Sequence, residues 1–403
     1  MLRIFAGVVS ASLLSFSAIG ADLSPAARRA LAQISEGATA SHSDSVLVMR
    51  GDETLLERYS TDEPQAIELM SVTKSVVALA IGALLDDGKL ESLDTPVHAF
   101  FPEWKQGRKK AITVRMLMEH TSGLQTSSTT DEIYPASDVV QLALAAELSH
   151  DPGKHFSYNN KATNLLAGIV AKAAGEPMDR YVQRRLFTPL GIAPGGWFKD
   201  QAGNPHGMAG LQLTARDAAK LGHLVLDRGR HGDRVLVQAS YIDEMLASSK
   251  LNPEVGLLWV RRVAWVRFHA DDESFSMLDK VGLEPALIER LRPLHGRKFE
   301  SESALYAALA ESWGDNWFET WQNELIKPHG IGPWRPFHSE KGPVEAFEAN
   351  GWRGQYIVVV PKASLVAVRQ IESRDDHAWS DSYEDFGAHV QALADALVGE
   401  LAD

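Results

Sequence analysis

After Lys74 the stretch to Leu85 is apolar on every side, leaving no polar face at helical spacing. A helix that is apolar all round is buried between other layers, so this segment is expected at the centre of the molecule. Asp86-Asp87-Gly88 ends it, with Gly88 as a left-handed cap. Before it, Val46-Leu47-Val48-Met49 and Thr54-Leu55-Leu56-Glu57-Arg58 flank Arg50-Gly51-Asp52-Glu53, the pattern of a β-hairpin. After it the apolar spacing turns helical. A short helix is predicted over Thr113–Met118, a second over Ala136–Leu148 and a third from about Ala162 to Ala174, closed by Gly175. A fourth is capped by Thr214 and runs to Leu226.

The texture changes at Glu254. Val255–Val260 is strand-like, and from Arg261 to roughly Val344 the chain is charged, rich in tryptophan and mostly helical. Leu305, Leu309, Trp313, Trp317 and Trp321 recur every fourth residue and share a helical face despite Gly314, a stripe that serves either packing or recognition. Glu345–Ile371 is β again, with Tyr356–Val360 and Leu365–Arg369 on either side of a Pro361-Lys362-Ala363-Ser364 turn. A terminal amphipathic helix carries Phe386, Val390, Leu393, Leu397 and Leu401 on one side. Strands at both ends with helices between them predict an α/β (α+β) architecture. Its parts are an antiparallel sheet formed by both chain ends and flanked by helices, a separate all-α lobe, and a helical Trp-rich insertion at about 262–341. In two-lobed folds the cleft lies at the junction.

Charge and composition narrow the partners. The 403 residues form one large domain or two, and a net charge of -13 argues against nucleic acid and anionic membrane surfaces. Arg3, the apolar run Ile4–Ile19 and the small residues Ala18, Gly20 and Ala21 read as a secretory signal over residues 1–21. The run is too interrupted by serine to make a membrane span. The chain has no cysteine, so it forms no disulfide and carries no lipidated thiol. The mature chain, residues 22–403, is expected to be periplasmic or secreted and free of stable membrane insertion; its oligomeric state is open.

Candidate chemistry begins at the mouth of the apolar helix. Ser71 and Lys74 stand at i and i+3, on one face of its first turn, close enough to share a proton. The helix N-terminus beneath Ser71 favours a developing anion. An S-x-x-K string also arises by chance in a chain of this length, but this is the only one here. Tyr158-Asn159-Asn160 is the only Y-x-N, at a loop-to-helix junction; taken alone, Tyr158 reads as a core tyrosine and Asn160 as an N-cap. Asn350-Gly351-Trp352-Arg353-Gly354-Gln355 leads into the last strands, with glycines that let the backbone approach a ligand closely. His269-Ala270-Asp271-Asp272 invites a metal reading, but no second histidine stands at ligand spacing, so a solvated loop and no metal site are expected.

Ser71-Val72-Thr73-Lys74, Tyr158-Asn159-Asn160 and Trp352-Arg353-Gly354, in that order, resemble the three motifs of class C-like serine hydrolases in the serine β-lactamase and penicillin-binding-protein superfamily. Glu119–Leu124, Gly210–Asp217 and Gly354–Pro361 have the same look, and the resemblance runs from about Ser45 to the C-terminus, leaving Arg262–Lys341 outside it. It implies a β-lactamase/DD-peptidase-like fold and acyl transfer from Ser71 through a covalent intermediate, with Lys74 and Tyr158 handling the proton. It also implies an oxyanion hole from the backbone N–H groups of Ser71 and Gln355, with Asn160, Trp352, Arg353 and Gly354 meeting the substrate, and no cofactor. The third motif of β-lactam enzymes usually opens with a cation, where this chain has Trp352, a departure toward the esterase branch. The expected substrate is a small ester or amide. The alternatives are a class C-type β-lactamase, a D-amino-acid peptidase or DD-carboxypeptidase, a penicillin-recognising sensor, or an inactive scaffold.

Overall fold

A computed structural model describes residues 23–127, 129–193, 195–314, 316–374 and 378–399. The expected export signal over residues 1–21, and Leu401 of the terminal stripe, lie outside the described residues. Among the described residues no helix is long and apolar enough to cross a membrane. The chain divides into two compact units: residues 1–260 together with 347–403, and residues 261–346.

The first unit is organised on an antiparallel sheet whose strands come from both chain ends, two of them running across the unit's boundaries at residues 260 and 347. They are β1 (Ser45–Arg50), β2 (Glu53–Tyr59), β3 (Val260–Val263), β4 (Val344–Gly351), β5 (Gln355–Val360) and β6 (Leu365–Gln370), in the order β2-β1-β6-β5-β4-β3. Leu47 pairs with Val368, Val358 with Ala367 and Phe347 with Val359. Period-2 alternation sends Leu47, Ile357, Val359, Val366 and Val368 into one core, while Val46, Val48, Val358 and Val360 are buried on the opposite face. Helix α1 (Pro25–Ala40) packs there against the C-terminal helix Phe386–Gly399, and Tyr356 stacks on Phe386 at 5.5 Å.

On the first face lie α2 (Val72–Asp86) and, against β5 and β6, α3 (Ala215–Leu226). Gly222 of α3 admits Val366 so closely that a Cβ would sit 2.6 Å from its side chain. As the all-apolar pattern requires, every residue of α2 from Val72 to Leu84 is buried. Around it stand the helices of the α-lobe, chief among them Asn160–Ala174, which begins two residues earlier than the apolar spacing suggested.

The second unit, residues 261–346, has its own core. Leu305, Leu309, Trp313 and Trp321 are buried in it and Trp317 packs on its edge, so the tryptophan stripe serves packing. Gly314, at φ +87°, ends the first helix after Trp313, and a second turn of helix, Trp317–Trp321, restores the ring contact, Trp313 to Trp321, at 5.2 Å. Besides its helices the unit holds a small sheet of Val266–His269, Lys298–Phe299 and His338–Lys341, which helical periodicity did not anticipate. Its register sets His338 directly opposite His269, giving the latter a second histidine that its sequence neighbourhood lacks.

Candidate active site

The candidate nucleophile sits at a helix start that withholds its usual cap. A serine at an N-cap normally adopts extended backbone and accepts from the N–H two or three residues on. Ser71 is instead in the right-handed helical region (φ -68°, ψ -11°) and makes no capping bond. Met70 before it is held at φ +48°, a conformation costly for a non-glycine residue. Two backbone contacts hold this turn: Leu69 N–H donates to Leu211 O (2.8 Å), and Leu211 N–H to the Thr73 hydroxyl (3.3 Å). The Ser71 hydroxyl is left to two other donors, Lys74 Nζ at 2.9 Å and Tyr158 OH at 2.9 Å. Its backbone N–H has no partner among the described residues.

Lys74 is only 4 % exposed, and its second bond goes to Met208 O at 2.8 Å. Burial lowers its pKa from the ordinary 10.5 to about 7, so near neutrality the amine is available as a base. Nζ also lies 4.8 Å from the Tyr158 ring centroid. Tyr158 is half exposed while its hydroxyl is turned to Ser71; desolvation there raises its pKa, partly offset by that hydrogen bond. The two shifts point in opposite directions, toward a neutral lysine and a protonated tyrosine.

His120 also belongs to this site, although no role for it was expected. It is buried, sits at φ +57°, and accepts the Asn159 N–H at Nδ1 (3.2 Å), so its proton is assigned to Nε2. Its carbonyl accepts from Ser157 N–H and its ring lies 4.7 Å from that of Tyr158. Burial first, then the Lys74 charge, push its pKa down to about 3, keeping it neutral. It holds the Tyr158 loop in place. The Glu119–Leu124 stretch was the available signal.

Ser71, Lys74, His120 and Tyr158 border a small cavity of about 90 Å³, completed by Ser75, Phe156, Val255, Leu258, Trp259, Val260, Glu348 and Asn350. The walls are largely apolar. Lys74 is the only lysine or arginine among the described residues that line it, and Glu348 contributes a carboxylate, 3.2 Å from Asn350 Nδ2.

Several expected substrate contacts fall elsewhere. Trp352-Arg353-Gly354 is the turn between β4 and β5, not part of a strand, so strand alternation does not decide which way Arg353 points. Its guanidinium donates to Arg374 O (2.7 Å) and Ser373 Oγ (3.3 Å) and stacks on Trp352 at 4.1 Å, and it does not line the cavity. Gly354 faces away as well: a Cβ there would lie 1.9 Å from Ser382 O, and Arg369 Nη1 donates to its carbonyl at 2.8 Å. The glycine that comes close to the site is Gly351, whose Cβ would be 2.6 Å from Leu69 O. That contact brings the start of β5, where Gln355 pairs with Gly351, beside the Ser71 turn. Trp352 is 61 % exposed and also lies outside the cavity lining. Asn160 is the first residue of its helix, with no side-chain hydrogen bond among the described residues. The capping belongs to Asn159, which accepts from Ala162 N–H at 3.0 Å and donates to Leu124 O at 2.8 Å.

Comparison with known proteins agrees with this architecture. The family described as Beta-lactamase matches residues 28–378. PbpX of Bacillus subtilis (strain 168) is 28% identical over 143 residues, 36% of this chain and 36% of that protein, so the chain spans about a third of that relative's length. A penicillin-binding protein homologue from Caulobacter crescentus superposes with a TM-score of 0.58 at 17% identity, covering 93% of this chain and 98% of the other. EstCE1, a hydrolase with promiscuous acyltransferase activity, gives 0.56 at 15% identity, covering 93% and 99%. At these identities the structural matches carry the fold alone.

Proposed function

The chain belongs to the beta-lactamase family of serine hydrolases, and from that premise we propose that it cleaves a neutral ester or small amide through an acyl-enzyme on Ser71. The observation that carries this reading is the convergence of Lys74 Nζ and Tyr158 OH on Ser71 Oγ, each at 2.9 Å. Ser71 Oγ attacks the carbonyl carbon and its proton passes to Lys74, whose neutral amine keeps one N–H on Met208 O and turns its lone pair to the serine. The carbonyl electron pair moves to oxygen, facing the Ser71 N–H, unpartnered among the described residues, and the start of β5 at Gln355; donors of this kind are worth about 3–4 kcal/mol each in the transition state. Tyr158, held protonated, gives its proton to the leaving group and is reprotonated from Lys74. Water then attacks the ester carbonyl by the reverse proton path and frees Ser71.

The substrate class rests on the cavity. Its largely apolar wall suits an acyl chain or small ring, whereas Glu348 and the absence of any lining cation beyond Lys74 among the described residues disfavour a carboxylate. Residues 1–21 would direct export to the periplasm or the medium. A fluorophosphonate probe followed by intact-mass spectrometry tests the central claim. Wild type should gain one adduct and Ser71→Ala none, with a loss of at least about a thousandfold in kcat. An adduct retained on Ser71→Ala refutes the nucleophile, and acylation by esters without turnover would make the protein a sensor.

A further inference from the structure

In the second unit, His269 ends its strand directly opposite His338, and the two imidazoles stack at 5.0 Å with planes 16° apart. Asp271 is the N-cap of the helix Asp272–Lys280, and its Oδ1 is occupied by the N–H groups of Glu273 and Ser274, both at 3.0 Å. That leaves Oδ2 facing the histidines, 3.5 Å from His269 Nε2 and 3.1 Å from His338 Nε2. Glu273 Oε2 lies 3.2 Å from His338 Nε2. One donor atom each from His269, Asp271 and His338 falls within 4.8 Å of the others.

We propose that His269, Asp271, Glu273 and His338 form a divalent transition-metal site, of the zinc type, that staples the small sheet to the helix beside it. An ion with bonds of about 2.0–2.1 Å in tetrahedral geometry spaces its donors about 3.3 Å apart. The separations of 3.1 and 3.5 Å from Asp271 Oδ2 to the two imidazoles bracket that value, so His269, Asp271 and His338 need only small side-chain movements, while Glu273, 3.2 Å from His338 alone and outside that group, would close the fourth position by turning its exposed side chain inward. Two imidazoles and two carboxylates select zinc or its neighbours over magnesium and calcium, which take oxygen ligands. The two carboxylate charges outweigh the partial charge of about +0.5 at the helix N-terminus. The capping bonds fix the Asp271 carboxylate as an outer shell should. Four protein ligands leave no open position, so the site is structural and distinct from the hydrolytic centre. It clips together two strands from opposite ends of the unit, the kind of long loop whose closure gains most from a cross-link.

The test uses the full chain, stripped with a chelator and titrated with Zn²⁺ alone by calorimetry and by metal analysis after dialysis. One equivalent is expected at micromolar Kd or tighter, weakened at least about tenfold in both His269→Ala and His338→Ala. Zn²⁺ should also slow proteolysis within residues 261–346 in wild type and not in the variants, while Mg²⁺ does neither. Absence of a one-to-one complex, or Zn²⁺ affinity unchanged in either histidine variant, overturns the proposal and leaves the cluster as ordinary ion pairs. Should a histidine variant fail to fold by circular dichroism, Glu273→Gln at the exposed fourth ligand replaces it under the same criterion.

Discussion

Lys74 makes the mechanism testable by pH alone. Its pKa falls from the ordinary 10.5 to about 7 because the side chain is almost wholly buried. At pH 7 an ordinary lysine is neutral in only about 0.03% of molecules, against about half at the lowered value, a gain of roughly a thousandfold in available base. The kcat/KM for a short-chain nitrophenyl ester should therefore climb about tenfold per pH unit below 7 and level off above it. Nitrophenolate departs without a proton, so this substrate isolates the acylation base; the reaction is followed at the isosbestic wavelength of the nitrophenol. Stability supplies a second reading with its own sign. Between about pH 7 and 10.5 the unfolded chain holds a proton on Lys74 that the folded chain has released, so stability rises with pH across that window. The Tm of wild type relative to Lys74→Met should rise with it, while below pH 7 the difference should be flat. A kcat/KM that does not change between about pH 5 and pH 9 would remove Lys74 from the role of base, whatever its distance from Ser71.

Tyr158→Phe should cost on the order of a hundredfold with an amide and much less with a nitrophenyl ester, because only the amide nitrogen needs its proton; equal losses on both would make Tyr158 part of the attack step. Combined with Lys74→Ala on the amide, the loss should fall well short of the product of the two, since both residues belong to one proton path. Arg369→Met, read by denaturant titration, should destabilise by at least about 2 kcal/mol, because it leaves buried carbonyl oxygens without donors at about 1–3 kcal/mol each. Arg369 is fully buried and donates to four carbonyls, those of Arg353, Gly354, Ser41 and Asp381, so a loss below about 1 kcal/mol would mean that water replaces it. Trp352→Lys should leave the kcat/KM ratio of a cephalosporin to an ester nearly unchanged, because Trp352 is exposed and lies outside the cavity lining; a shift of about tenfold or more toward the cephalosporin, the worth of one charge-assisted hydrogen bond, would place that position at the substrate. A wild type that already prefers the cephalosporin would overturn the esterase reading.

What was legible in the chain was what repeats locally. The stretch from Lys74 to Leu85 announced a buried helix because no polar stripe interrupts it after Lys74, and Ser71 with Lys74 could be placed on one face because a helix makes i and i+3 neighbours. The alternation in Tyr356–Val360 and Leu365–Arg369 announced the sheet for the same reason. Trp352-Arg353-Gly354 was harder, because a turn has no period: its direction is set by Arg369, which reaches the Arg353 and Gly354 carbonyls from a neighbouring strand. Asn159 and Asn160 offered the same cap chemistry one residue apart, and the choice fell to Asn159 because Leu124 O waits for its amide. Glu348 and His120 were invisible as site residues, since each reaches the cavity through strand or loop pairings that the local sequence does not encode. The histidine pair is the extreme case. His269 and His338 become neighbours only because two strands from opposite ends of the second unit pair in one register, and a slip of a single residue would turn one imidazole to the other face of the sheet. An ion bound there would oppose that slip, since the same four donors cannot meet in any other register.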